Sequence, residues 1–363
     1  MKSCALAVVT MLAVYLGGCR ENTFSVQSLP QVSDSTQNIG DTVYVEQYPV
    51  WTGFSHPQGV IVGNEPLIYV ADTDNDRLVM LDLSGRVISY SKKMTRPVAL
   101  TQDKRLQLLV CAQFDTTLPG RTSPTTFGAL YRLDLVAANH NLGSITPTRV
   151  YFDPGDSLRR FTGVAAMYNN QYYLARVGPN NAVTSPDRDN AILQFSENDQ
   201  LLSPVTATFS PNGTGLLSIS TISAVAAIPT SRVLDFIFCQ TGTTELYKVQ
   251  WIQYVIEGQN ANYLSKFYPS VDGNIDLLKI NHFIYPAGLT VDPAGNLYVV
   301  DAVKDSLYRF STRGIERYSF GGFGSGDRQF NEPYSVAFFD KTVYVADRGN
   351  NRIVRFKLSS DID

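Results

Sequence analysis

The chain has 363 residues, 44% of them hydrophobic, and 30 Lys and Arg against 33 Asp and Glu, a formal net charge of −3. That is enough apolar material for a large core, and its slight acidity offers none of the clustered Lys and Arg that nucleic acid requires. No stretch after residue 20 is long and apolar enough to span a bilayer as a helix, while 20 Tyr and 19 Phe among dispersed Gly and Pro give an all-β composition.

The N-terminus reads as a targeting segment. Lys2 supplies a basic start, residues 5–16 an apolar run, and Leu16-Gly17-Gly18-Cys19 follows. Those four residues resemble the lipobox of bacterial lipoproteins. The resemblance implies removal of residues 1–18, acylation of the Cys19 thiol and firm anchoring by several acyl chains. The plainer alternative is an ordinary signal peptide with an incidental Cys. By the same resemblance an Asp after the Cys would mark inner-membrane retention; Arg20 stands there, which leans the expectation toward the outer membrane. Residues 19–40 carry no hydrophobic period and read as a tether, leaving 41–363 as one domain.

From Asp41 onward strand follows strand. Ile68-Tyr-Val-Ala-Asp72-Thr-Asp-Asn-Asp-Arg77-Leu-Val returns as Val343-Tyr-Val-Ala-Asp347-Arg-Gly-Asn-Asn-Arg352-Ile-Val, with a degenerate copy starting Leu297-Tyr-Val-Val-Asp301. Pro57-Gln-Gly59, Pro286-Ala-Gly288 and Pro333-Tyr-Ser335 precede them. Six second strands align at 67–71, 107–111, 171–175, 235–239, 296–300 and 342–346. Their partners are at 78–83, 129–135, 191–195, 245–250, 306–310 and 352–357. A repeat of about 55 residues fits four-stranded propeller blades with insertions. The sixth repeat ends without an outer strand and residues 42–48 form an orphan strand, so that strand completes the last blade and abolishes the exposed sheet edge. The prediction is an all-β, six-bladed β-propeller of four-stranded antiparallel blades.

The repeated segments resemble the NHL repeat, most closely in blades one, five and six. Pro-x-Gly opens the innermost strand, where blades converge and small side chains fit. The Asp ending the second strand accepts hydrogen bonds from the tight loop after it and pairs with the Arg five residues on. Gly85 and Gly314 permit the turn into the outer strand. The Gly-rich run 321–333 corresponds to the linker between blades in that family. Cys111 and Cys239 share one small, buried slot with Ala71 and Ala346, two blades apart, and read as free thiols rather than a disulfide.

Catalytic motifs are sparse. Asp72-Thr-Asp74-Asn-Asp76 fails the EF-hand pattern, with Arg77 at the glycine position and Leu83 at the closing glutamate position; it reads as a structural turn, with metal as the lesser alternative. The run 321–326 lacks the Lys-Ser/Thr ending of a P-loop. His56 and His282 are expected on loops at the channel mouth. His282-Phe-Ile-Tyr-Pro286 is similar to a zinc-ligand segment of peptidyl-amidating lyases, six-bladed propellers in which blade six carries another His; Tyr334 stands there. His140 falls on the opposite face, and two His make a poor catalytic zinc site.

The insertions say more. Residues 113–128 in blade two carry Asp115 and Arg121. Residues 176–190 in blade three carry Arg176, Asp187, Arg188 and Asp189, with Arg176 where other blades place Asp. Both are expected side by side on one face, with Arg176, Arg121 and Arg188 gripping an anionic or polar partner; solvated loops with local ion pairs are the alternative. The expected ligand-binding residues are Arg121, Arg176, Asp187, Arg188 and Tyr334. The favoured function is a lipid-anchored binding or scaffold protein of a Gram-negative envelope, without cofactor, that holds a protein, peptide or glycan as a monomer or accessory subunit. The rival is a metal-assisted lyase or lactone hydrolase with its site on the channel axis.

Overall fold

Each repeat folds as a meander of four antiparallel strands, and its ladder register recurs from blade to blade. The computed structural model describes residues 43–359 except 183–184, 186, 206–212, 229–231, 259 and 272–274; residues 1–18, the tether 19–40 and Cys19 lie outside the described residues. β1 (Tyr44–Trp51) precedes the repeats. Blade one is β2 (Pro57–Val62), β3 (Ile68–Asp72), β4 (Arg77–Leu81) and β5 (Val87–Tyr90). Blade two is β6 (Thr95–Gln102), β7 (Gln107–Thr116), β8 (Thr125–Asp134) and β9 (Thr148–Phe152). Blade three is β10 (Arg160–Ala166), β11 (Tyr172–Val177), β12 (Ala191–Phe195) and β13 (Leu201–Val205). Blade four is β14 (Ile222–Ala227), β15 (Phe236–Gln240), β16 (Val249–Glu257) and β17 (Asn260–Ser265). Blade five is β18 (Pro286–Val291), β19 (Leu297–Asp301), β20 (Ser306–Phe310) and β21 (Glu316–Gly321). Blade six is β22 (Pro333–Phe339), β23 (Thr342–Asp347) and β24 (Arg352–Leu358), with β1 as its outer strand.

The ring closes as the orphan strand implied. Tyr44 pairs with Leu358 and Trp51 with Ile353. The Val43 N–H donates to Ser359 Oγ at 3.1 Å and the Ser359 N–H to the Val43 carbonyl at 2.7 Å. Blades three and four, whose motif is eroded, are four-stranded like the rest.

Period-two alternation sends side chains from each blade to both of its neighbours. The buried apolar residues of the described chain therefore form six clusters, one per blade–blade interface. Tyr69 of blade one, for example, packs with Leu108 and Val110 of blade two. Cys111 and Cys239 lie fully buried and free in this core. Burial raises the pKa of both thiols, and nearby Asp301 adds to the effect at Cys239.

Crowding at the axis selects small residues. The inner-strand positions opposite Ala71, Cys111, Ala175, Cys239, Val300 and Ala346 are Gly59, Ala99, Gly163, Ala224, Gly288 and Ser335. A Cβ on Gly288 would lie 2.5 Å from the Tyr334 carbonyl oxygen, and one on Gly163 2.9 Å from the Val225 nitrogen. Hydroxyls link successive inner strands. The Val60 N–H donates to Ser335 Oγ at 3.2 Å, Thr162 Oγ1 to the Ile222 carbonyl at 2.7 Å, and Ser223 Oγ to the Pro286 carbonyl at 2.5 Å.

Two strand assignments are corrected. Residues 113–116 and 125–128, read from sequence as loop, extend β7 and β8 into a continuous hairpin, with Thr116 opposite Thr125. The third strand of blade four runs over Val249–Glu257 rather than 245–250, because Cys239 pairs with Val249 and Glu245 is buried in the preceding connection. The axial crowding makes a direct prediction. Gly288→Ala forces the Tyr334 backbone to move and costs about 1–3 kcal/mol, read as a lowered urea midpoint at unchanged m-value.

Candidate functional site: upper face and central channel

The connections between second and third strands, and those between blades, share one face, called upper here. The Asp at the end of the second strand builds that face in three blades. Asp72 accepts from the Ser55 N–H at 2.7 Å, Asn75 Nδ2 at 2.8 Å and Arg77 Nε at 2.8 Å. Asp347 repeats this with the Asn331 N–H, Asn350 Nδ2 and Arg352 Nε. Arg352 also donates to the Ser325 and Gln329 carbonyls and so fixes the Gly-rich linker. Asp301 accepts from the N–H groups of Ile284, Val303 and Lys304. The expected pairing with the Arg five residues on is present at Asp72 and Asp347; Asp301 keeps the loop contacts, with Ser306 in the Arg position.

Blades two, three and four replace that Asp with Ala112, Arg176 and Gln240, as the ladder register shows. Arg176 is 3% exposed. Its Nε donates to the Asp189 carbonyl at 3.1 Å, and its Nη2 to the Arg188 carbonyl at 2.7 Å and to Asp187 Oδ1 at 2.5 Å. The polarity of the turn is inverted, with the cation inside and acceptors on the loop. This departs from the expectation that Arg176 reaches out to a partner: the side chain is buried, with Nε and Nη2 bonded to its own loop. Burial opposes the charged form of Asp187, but Arg176 and Arg159 outweigh it and hold the carboxyl below its usual range. Sequence reasoning missed Arg159, which reaches the carboxylates of Asp153, Asp187 at 2.8 Å and Asp189 at 2.8 Å.

Arg121 lies at the exposed tip 117–124 of the β7–β8 hairpin, where its Nη1 meets Thr125 Oγ1 at 3.5 Å. Among the described residues no contact brings it to Arg176 or Asp187. The hairpin base is rigid. Phe114, Phe127 and Phe152 pack with ring centroids 5.2–5.9 Å apart, and the Arg149 guanidinium lies 3.8 Å from the Phe114 centroid. Gly128 abuts the Arg159 carbonyl, so hairpin and blade-three loop meet through Arg159.

Between the inner strands lies a channel of about 620 Å³. Its walls include Val60, Val98, Val164, Val225 and Leu289, and its upper mouth Gln58, Gln113, Thr162, Thr221, Tyr285 and Tyr334. Tyr334 therefore lies in the channel mouth, its hydroxyl 3.2 Å from that of Tyr285. Burial, with Tyr285 adding to it, pushes the Tyr334 phenol up, so it stays protonated and able to donate.

Neither His lines this channel, which corrects their expected position. His56 links blades: its N–H donates to Asn351 Oδ1 at 2.7 Å and its Nδ1 lies 2.8 Å from Asp74. His282 packs against Phe283, Tyr308 and Phe310, with Nε2 3.2 Å from Glu316 on outer strand β21. A divalent metal on the axis needs carboxylate or imidazole ligands. Among the described residues, the channel lining contains no Asp, Glu, His or Cys. Among the described residues no group of three or more such side chains is placed to hold a metal ion. The residues present do not fit a metal centre in the channel.

No family model matches the chain, and no curated protein matches it either. Solved structures do. An auxiliary nutrient binding protein from Bacteroides thetaiotaomicron is 11% identical, covering 88% of this chain and 77% of that one, at a TM-score of 0.59. A gluconolactonase from Xanthomonas campestris is 12% identical over 89% and 99% of the two chains, at 0.54. Regucalcin from Agrobacterium tumefaciens, a calcium-binding protein, is 11% identical over 87% and 93%, also at 0.54. At these identities the likeness is one of fold: an all-β six-bladed propeller.

The inverted turn of blade three is testable. Arg176→Met strands two carbonyls and frees Asp187, costing about 1–3 kcal/mol and exposing residues 178–190 to limited proteolysis while the other blades stay protected.

Proposed function

We propose that the chain is an envelope binding protein, anchored in the outer membrane through a lipidated Cys19 after loss of residues 1–18 and facing the periplasm or the cell surface, with Arg20 after the Cys favouring that membrane. Its upper face holds the partner, a protein, peptide or glycan. The observation that carries this reading is the β7–β8 hairpin. Strands of 10 residues each raise an exposed tip above the ring, and an aromatic base keeps that tip in place without a partner. Such preorganisation lowers the ordering cost of binding, and loops on a rigid scaffold are where binding residues gather. The nutrient-binding neighbour shows the same scaffold in a binding protein.

The rival reading, a metal-assisted lyase or lactone hydrolase, has fold likeness on its side, but one fold hosts many functions. Among the described residues the channel lining offers it no carboxylate or imidazole ligand on the axis.

Two experiments separate the readings. Replacing residues 117–124 by Asn-Gly shortens the hairpin to a two-residue turn. The variant is expected to keep its melting temperature and to lose the envelope partner that co-purifies with the native chain; retention of that partner would refute the role of the tip. Chelator is expected to leave the melting temperature unchanged. An ion held at 100 times its Kd adds about 2.7 kcal/mol, so a drop of several degrees would favour the hydrolase.

A further inference from the structure

We propose that the central channel binds a small ligand with an apolar body and one anionic group, the anion seated on Arg160 at the upper mouth. This goes beyond the binding-protein reading, whose partner sits on the upper face, and gives the channel a ligand of its own.

The charge of the lining sets the sign. The whole chain carries −3, yet the charged side chains of the channel are all cationic: Arg96, Lys104 and Arg160. A cationic ligand would find no counter-charge there. Two of the three are occupied. Arg96 is bound to Asp74 at 3.2 Å, and Lys104, at the lower end, donates to Asn64 Oδ1 at 3.0 Å. Arg160 differs. Its Nη1 donates to the Ser157 carbonyl at 2.5 Å and the Arg159 carbonyl at 2.9 Å. Its Nε and Nη2 have no partner among the described residues, and no carboxylate pairs with it there.

Position explains the contrast with Arg159 next to it. Successive residues point to opposite sides of an extended chain, so Arg159 turns into the Asp cluster and Arg160 into the channel mouth. Half-buried and held by two carbonyls, the guanidinium is preorganised for a carboxylate or similar anion, whose charge-assisted hydrogen bonds are about twice as strong as neutral ones. The hydroxyls of Tyr334 and Tyr285 face the same mouth. Below them the valine-rich wall suits an alkyl or aryl body, and about 620 Å³ lies in the range of small-molecule sites.

Octanoate and its neutral analogue octanamide, titrated calorimetrically into the full-length chain, test this. Octanoate is expected to bind at one site per chain, about tenfold or more tighter than octanamide. Arg160→Gln is expected to erase that preference by weakening octanoate alone, and Arg160→Lys to keep part of it. Equal affinity for the two probes, unchanged octanoate binding in Arg160→Gln, or no octanoate binding at millimolar concentration each overturns the inference. The hairpin replacement reads the upper face independently, so a silent channel with a tip-dependent partner overturns only the channel ligand. Failure of both overturns the binding reading itself.

Discussion

The structure depends on how closely six inner strands can approach one axis. Each brings an unpaired edge and a backbone that touches the next blade. That contact admits Gly59, Ala99, Gly163, Ala224, Gly288 and Ser335 at equivalent ladder positions and nothing larger. Unpaired buried N–H and carbonyl groups are costly. The hydroxyls of Thr162, Ser223 and Ser335, each bonded to the neighbouring inner strand, meet part of that demand. Because small residues and hydroxyls do this work, no charged side chain is needed in the middle of the channel, and its cations sit at the ends.

The upper face follows from a second, local constraint. Each blade must hold the connection that enters it from its neighbour. Asp72, Asp301 and Asp347 do so by accepting backbone N–H groups. Gln240 keeps the role with an amide, accepting from the Ser220 N–H at 3.1 Å. Arg176 reverses the polarity and Ala112 abandons it. The blades that depart from the Asp pattern are those whose second and third strands are joined by more than the four residues of blades one, five and six, and in blades two and three the face gains a hairpin and an Asp-rich loop.

Much of this was legible in the sequence. The turn sequence repeated between Ile68 and Val343, the orphan strand before the first blade and the small residue after each Pro all report local requirements that a linear pattern can carry. The channel was not legible. Which inner-strand side chains face the axis depends on six segments meeting in space, and Arg159 and Arg160 are chemically alike in a sequence although one is neutralised and the other open. The β7–β8 extension was hidden because Gln113, Asp115, Thr116 and Thr125 read as polar loop, while the packing of Phe114 and Phe127 on Phe152 that supports it is non-local. His282 was misplaced for a related reason. It lies on the connection between β17 and β18, which packs its ring against the third and fourth strands of blade five, and nothing in His-Phe-Ile-Tyr-Pro marks that path.

The closing strand has a consequence for how the ring is made. Val43 and Ser359 are bonded across 316 positions of sequence, so β1 is synthesised first and its partner β24 last. At about 5–20 residues per second the first strand waits on the order of 15–60 s for its ladder. Through that interval blade six does not exist and β1 is an unpaired edge, the kind of segment that templates aggregation. Five blades can assemble from contacts made within and between consecutive repeats, but the ring locks only when β24 arrives. Loss of a few residues from the C-terminal strand therefore weighs on the whole circle rather than on its last blade alone.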